Sequence, residues 1–517
     1  MRDLRTAILP LNLSPGKSLL RCHKIKSMLT NLSPQTQFFI LFVIILLERT
    51  LVALFFPLTG DEALFYHWGK EVAFGYYDHP PVSGWISALF ISINNSLFFF
   101  RIPGIVLPGL ISWIIIQFTS DKDKIAGYFA ASLYLLLPVN LLSIYTNDTP
   151  LVFFVMLSAL FINKAVLKNN LIHWMLGGIF LGLALLTKYI AAILFFAYIF
   201  YFAFYQRKYI YLFVFSLLFS LPFVACNITY NYFNCGNNIM FNLINRNSDS
   251  NLSMSSPILY FFTLAYFVPP YILWKYFRNP KNYTALIKNT SKFSFTLMAI
   301  SLGLFGFISI EKRVGLHWVL AFIPFVFIVI AQAFSINDLK KSINYSIIFL
   351  LLNLCIFLIF LIAASQNNRT HFYFHPQEVL TKITNPSFIL MTESYSKSMV
   401  LTYYYQKYIP VFGLGSYHAR QDDIEFDFSS IKGKNIRTLT TKEPKIDYYQ
   451  PFFKSVKKNS FRIGKVQYWL IDGYQFNYEE YENKILQLII KKYYQFPGWL
   501  TQVKCEFKTN IMKHVMP

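Results

Sequence analysis

Long apolar runs recur from Phe38 to Ala364, separated by short polar connections, and they restrict this chain to one architecture. In hydrocarbon each backbone N–H and C=O must find its partner within the span, so apolar runs of about 18 residues or more fold as membrane helices. The expected spans are Phe38–Pro57, Arg101–Thr119, Ala126–Tyr145, Thr149–Leu167, Trp174–Thr187, Tyr189–Tyr205, Tyr209–Tyr230, Pro257–Phe277, Phe293–Ile310, Leu316–Phe334 and Ile343–Ala364. That is an α-helical polytopic membrane protein of about eleven spans. Val82–Phe100, only moderately apolar, reads as a helix and turn at the membrane surface. The polar stretch Asn231–Ser256 reads as a loop that orders with ligand.

Beyond residue 364 the composition turns mixed. Pro386–Thr392 and Val466–Ile471 read as strands, and Ser396–Tyr408 and Tyr478–Tyr494 as helices, which predicts a small α/β or α+β module. The chain therefore divides into a basic cytoplasmic tail (1–37), a membrane domain (38–364) and an outer, periplasmic domain (365–517). Residues 1–37 carry no cleavable signal pattern, and Met28 is an alternative start.

The formal net charge of +22 raises nucleic acid as a partner. The Lys and Arg are scattered between apolar runs, however, so they read as topology determinants and as attraction for anionic lipid. With the N-terminus inside, the basic residues left on the outer side of the membrane domain are Lys70, Arg101, Lys188, Arg246, Lys312 and Arg313. This asymmetry fits the positive-inside rule and sends the C-terminal domain outward. Glu48 and Arg49 lie inside the first span. Being about 100° apart on a helix, they are read as pairing with other helices rather than with each other. The five cysteines have no metal-ligand spacing; Cys226 and Cys235 are either a pair or free thiols.

This topology gathers Asp61, Glu62, Asp78, His79, Asp148, Lys188, Lys312 and Arg313 on the outer face, from separate loops and helix ends. Cations there run against the insertion bias, and an anionic ligand at the membrane surface accounts for them. A lipid-linked phosphate has that chemistry, since Lys offers a point charge and Arg a planar fork. Carboxylates beside it suit a transfer in which a base takes a proton from an acceptor hydroxyl while phosphate leaves. Structural readings stand beside these: Asp148 as a helix cap, Lys188 reaching outward from a span end, and His79 orienting its loop.

The stretch PLTGDEALFYHWGKEVAFGYYDHPP (57–81) resembles the first outer loop of polyprenyl-phosphate-sugar-dependent glycosyltransferases. Those are enzymes of the protein O-mannosyltransferase and aminoarabinose-transferase type, in the GT-C superfamily. The bacterial proteins called dolichyl-phosphate-mannose-protein mannosyltransferases are similar at GYYDHPP (75–81). Arg101-Ile102-Pro103, Asn147-Asp148-Thr149-Pro150-Leu151, Gly182–Tyr189 and Arg313–Trp318 are similar to further family elements, in the same order. The resemblance implies Asp61 as catalytic base, Glu62 sharing that role and Asp148 placing the acceptor or a cation. It further implies Lys188, Arg313 and Arg101 on the donor phosphate, and Tyr66, Asp78 and His79 on substrate. No metal is certain, and a divalent cation stays open. The partners implied are a polyprenyl-phosphate sugar and a lipid, glycan or protein acceptor, in the inner membrane, with no nucleic acid. Val82-Ser83-Gly84 depart from the basic residue that eukaryotic protein O-mannosyltransferases carry there, and no loop has room for their β-trefoil. The acceptor is therefore not fixed by the resemblance. The rival from another class is a transporter or flippase of lipid-linked sugars, which predicts mid-bilayer charges, broken helices and repeated halves. Tyr403–Tyr405, Tyr448-Tyr449 and the YHARQDD segment (His418, Arg420, Asp422, Asp423) are candidate sugar contacts, the tyrosines equally candidate core residues.

Overall fold

The computed structural model describes residues 32–120, 123–141, 144–245, 254–415 and 426–494. His418, Arg420, Asp422, Asp423, Arg246 and Met28 lie outside the described residues. The chain opens with α1 (Pro34–Phe55), started by the Ser33 hydroxyl accepting from the Thr36 amide and by Pro34 in the first turn. Two short helices follow, α2 (Gly60–Lys70) and α3 (Val82–Ile93), and then α4 (Leu97–Gln117). α5 (Lys124–Leu135) and α6 (Asp148–Lys168) pack beside it, and α7 (Leu171–Leu185) packs against α6. After three more helices (Ala192–Phe204, Ile210–Leu218 and Leu221–Phe233) comes α8 (Asn237–Leu243), and further on α9 (Lys292–Glu311), Leu316–Ala333 and the 31-residue α10 (Ile336–Gln366).

Among the described residues, α1, α4, α6, α9, Leu316–Ala333 and α10 are long and apolar enough to cross a membrane. The number rises from six to eight if the bent pairs Tyr189–Phe204 with Arg207–Leu218 (119°) and Ser255–Phe267 with Pro270–Arg278 (112°) each count as one span. This is fewer than the eleven expected, because several of the expected runs fold as helices too short to cross or as bent pairs. The run Ala126–Tyr145 forms the 12-residue α5 and a 3-10 turn at Pro138–Leu141, and α5 is buried along most of its length. The run at 174–187 forms the 15-residue α7. A helix that is apolar all round is either lipid-facing or enclosed by protein, and composition does not separate the two. Only α10 shows the lipid-facing pattern fully, with 6% of its apolar window buried.

Arg49, on α1, is 3% exposed and donates to the carbonyls of Gly104 and Asn140. Pro108, inside α4, lacks the amide that would have bonded the Gly104 carbonyl four residues earlier. The guanidinium takes that freed carbonyl, so Arg49 bonds to other helices as its position requires.

The C-terminal part is a four-stranded mixed sheet in the order β1-β2-β4-β3. β1 (Ile389–Thr392) runs parallel to β2 (Ile436–Thr440); β3 (Phe453–Ile463) and β4 (Val466–Phe476) form an antiparallel hairpin beside it. α11 (Tyr395–Tyr405) lies between β1 and β2 in sequence. The region 478–494, read as helical, is helical throughout, with α turns alternating with wider π turns. Residues Met399, Val400 and Leu401 of α11 share a hydrophobic cluster with Ala63, Leu64 and Phe65 of α2. The sheet domain is thus seated on the acidic helix through its own core.

Candidate active site

α2 begins where it does because Thr59 and Glu62 form a reciprocal capping box: the Thr59 side chain accepts from the Glu62 amide, and the Glu62 carboxylate from the Thr59 amide. Asp61 and Glu62 therefore occupy the first turn, where the exposed amides of the helix favour negative charge. Neighbours on a helix point about 100° apart, and the two carboxylates part company.

Glu62 turns inward and is fully buried. Arg101 grips it with a two-pronged ion pair, Nε to Oε1 at 2.8 Å and Nη2 to Oε2 at 2.7 Å. The remaining Arg101 donors go to the carbonyls of Ala53 and Phe56, both at 2.8 Å, and of Pro57 at 3.1 Å. The Tyr145 amide adds a bond to Glu62 Oε1 at 3.3 Å. Expected as acid-base and phosphate-binding groups, Glu62 and Arg101 instead saturate each other and fasten the α1–α2 corner to α4. Tyr66 also turns from the cavity: its hydroxyl donates to Asn95 Oδ1, and its ring packs edge-on to Tyr403 at 4.8 Å. Arg313 is exposed, beyond the residues that line the cavity.

Asp61 turns the other way, into a cavity of about 450 Å³ whose lining includes Asp78, His79, Asp148, Lys188, His317 and Tyr395. Lys188 Nζ lies 2.7 Å from Asp148 Oδ1, and both side chains are nearly buried. Backbone breaks place this pair. α7 stops at Leu185, Lys188 is extended (φ −162°, ψ 136°) and a 3-10 turn follows, while Asp148 opens α6. His79 Nε2 sits 3.8 Å from Asp78 Oδ2. The same cavity is also lined by Arg49, Pro108, Ile111, Tyr134, Leu137 and Ile323.

The loop bearing Asp78 and His79 is held from all sides. Tyr76 stacks on Trp68 with ring centres 4.2 Å apart, and its hydroxyl donates to the Trp68 carbonyl at 2.8 Å. The Tyr76 amide donates to the His79 carbonyl at 3.0 Å, and the Val82 amide to the Leu186 carbonyl at 3.2 Å. Asn238 and Asn242 of α8 donate to the carbonyls of Tyr76 (2.8 Å) and Asp78 (2.9 Å). The described part of the polar stretch thus includes a helix that clamps the loop. A side chain at Gly84 would collide with the Tyr76 hydroxyl at 2.3 Å, so this close approach requires glycine.

Sequence reasoning missed Tyr395. Its hydroxyl donates to Asp61 Oδ1 at 2.9 Å, across 334 residues of chain. Burial, together with the negative charges of Asp61 and Asp78, pushes the Tyr395 phenol well above the usual tyrosine range. Nothing in the sequence around TESYSK marks it. Tyr403 and Tyr449, considered as sugar platforms, are packed on Tyr66 and Phe412 instead. Cys235 is disulfide-bonded and Cys226 is free, so those two are not a pair. Among the described residues no group of three or more His, Cys, Asp or Glu is arranged to hold a metal ion.

Comparison with known proteins meets the family resemblance at three levels. The family model described as "Dolichyl-phosphate-mannose-protein mannosyltransferase" matches residues 78–230, which hold Asp78, His79, Arg101, Asp148 and Lys188; Asp61 and Glu62 precede them. A curated relative, the lipid A galacturonosyltransferase RgtD of Rhizobium johnstonii, is 28% identical over 142 residues. That match covers 26% of this chain and 29% of the relative, so less than a third of the relative's length is spanned. ArnT from Cupriavidus metallidurans, solved in the apo state and bound to undecaprenyl phosphate, has the same fold at a TM-score of 0.60 and 14% identity. The likeness covers 84% of this chain and 98% of that one.

Proposed function

We propose that this chain is a multi-pass membrane glycosyltransferase that moves a sugar from a polyprenyl-phosphate donor to an acceptor hydroxyl at the outer face of the inner membrane. The observation that carries the reading is the single cavity in which Asp61, the Asp78–His79 loop and the Asp148–Lys188 pair meet. Acid groups and a cation share one enclosed space at the ends of apolar helices. That arrangement suits a headgroup whose chain remains in the bilayer.

Asp61, exposed to the cavity and paired with no cation among the described residues, takes the proton of the acceptor hydroxyl. The acceptor oxygen then bonds to the anomeric carbon while the bond from that carbon to the phosphate oxygen breaks. The electron pair leaves with the phosphate, and Lys188 stabilises the charge that develops. No side-chain nucleophile is required, so one displacement inverts the anomeric centre. Asp148 holds Lys188 in place, and Asp78 and His79 contact substrate. Glu62 and Arg101 build the corner from which Asp61 projects, and Arg313 is a contact for lipid phosphate at the rim.

A lipid acceptor is the preferred class. Support comes from the lipid A named for the RgtD relative, while the undecaprenyl phosphate bound in one ArnT structure supports the polyprenyl-phosphate donor. The N-terminus lies in the cytoplasm and the sheet domain in the periplasm. The transporter alternative has weaker support: Arg49 is engaged by backbone carbonyls, and the acidic groups meet at one end of the helices. The test is incorporation of radiolabelled sugar from several polyprenyl-phosphate sugars into lipid, glycan and protein fractions, comparing wild type with Asp61→Asn. Incorporation abolished by that change is expected. A donor that merely crosses the bilayer, whatever stands at residue 61, overturns the reading.

A further inference from the structure

The base assigned above belongs to the membrane domain, yet its only side-chain partner among the described residues comes from the sheet domain. Tyr395 opens α11, and its hydroxyl reaches Asp61 Oδ1 at 2.9 Å. The approach is built in rather than incidental. Gly60, one residue before Asp61, packs so tightly on Ser396 that an added Cβ would lie 1.7 Å from its Oγ. Ser396 is hydrogen-bonded in turn to Tyr373 at 2.8 Å. The first turn of α2 and the first turn of α11 are thus locked face to face.

We infer that Tyr395 is a positioning residue for Asp61, so that the C-terminal domain completes the active site instead of merely covering it. This rests on the reading of Asp61 as base. An aspartate on an exposed helix turn samples several rotamers. A phenol fixed on Oδ1 selects one of them and leaves Oδ2 to receive the acceptor proton. The phenol cannot compete for that proton, because burial and two nearby carboxylates keep it neutral.

The experiment compares full-length wild type, Tyr395→Phe, Asp61→Asn and the double variant in nanodiscs, using the radiolabelled polyprenyl-phosphate sugar found to be transferred. A hydrogen bond to a charged group is worth about 10- to 100-fold. Tyr395→Phe is expected to lose about that much in kcat, with donor KM unchanged and the double variant no worse than Asp61→Asn alone. Tyr373→Phe breaks the neighbouring contact to Ser396 while leaving the Tyr395 hydrogen bond to Asp61 in place, and is expected to retain near-wild-type kcat. Full kcat in Tyr395→Phe, a loss confined to KM, or equal losses in both tyrosine variants overturns the inference. If Asp61→Asn is inactive and Tyr395→Phe is unimpaired, only this inference fails. If Asp61→Asn transfers sugar normally, the reading of Asp61 as base fails with it.

Discussion

Asp61 and Glu62 are chemically near-identical neighbours with opposite fates, and Arg101 decides which is which. Once Glu62 is buried with a guanidinium that spends all its donors, removing Arg101 strands a carboxylate in a dry interior. Breaking such a pair costs about 3–5 kcal/mol. Arg101→Ala is therefore expected to lower the detergent melting temperature strongly. Arg101→Lys should not restore it, because an ammonium cannot span two carboxylate oxygens and three carbonyls. Lys188→Ala also removes the partner of a nearly buried carboxylate, so it is expected to lower melting, though by less than Arg101→Ala, while transfer rate falls about 100-fold or more. Thermal melts and initial rates on the same preparations separate the two. Reversed effects would exchange the structural and chemical roles assigned to these cations. The alkaline side of the rate profile supplies a further check. Since Tyr395 is held neutral beyond the ordinary tyrosine range, Tyr395→Phe should leave any decline near pH 10 where wild type has it.

At the level of elements, the sequence already contained part of the answer. Thr59-Gly60-Asp61-Glu62 is a capping-box pattern, and it predicts that Glu62 bends back toward its helix start. The acidic pair was read as one functional unit because resemblance drew attention to both members together. The apolar runs, the break at Lys188 and the helix start at Asp148 were legible, since local composition and turn residues set them. What composition could not separate was an enclosed helix such as α5 from a lipid-facing one such as α10. Nor could it place Arg49, whose partners become clear only when Pro108 is seen to free the Gly104 carbonyl. That account makes a coupling prediction. Arg49→Met should destabilise by about 1–3 kcal/mol by stranding buried carbonyls. In a Pro108→Ala background, where α4 can rebuild its own bond, the loss should shrink. Additive losses in thermal unfolding would contradict the account.

For the whole molecule, the contact that matters most spans 334 residues and two domains, so no local pattern could disclose it. Tyr395 sits in an ordinary helix start, and only the packing of α11 on α2 gives it meaning. The fold is shared with ArnT at 14% identity. Orientation is a property of the whole chain. A periplasm-dependent reporter fused after residue 440 is expected to be active, placing the sheet domain and cavity on the outer face. Activity of a cytoplasmic reporter at that site would put the cavity on the wrong side for the proposed reaction. The central claim is tested most directly by one comparison: transfer of labelled sugar from polyprenyl phosphate by wild type and by Asp61→Asn, matched in yield and melting temperature. The account predicts transfer by the first and a loss of at least about 1,000-fold in the second. Equal transfer by both would show that Asp61 is not the base.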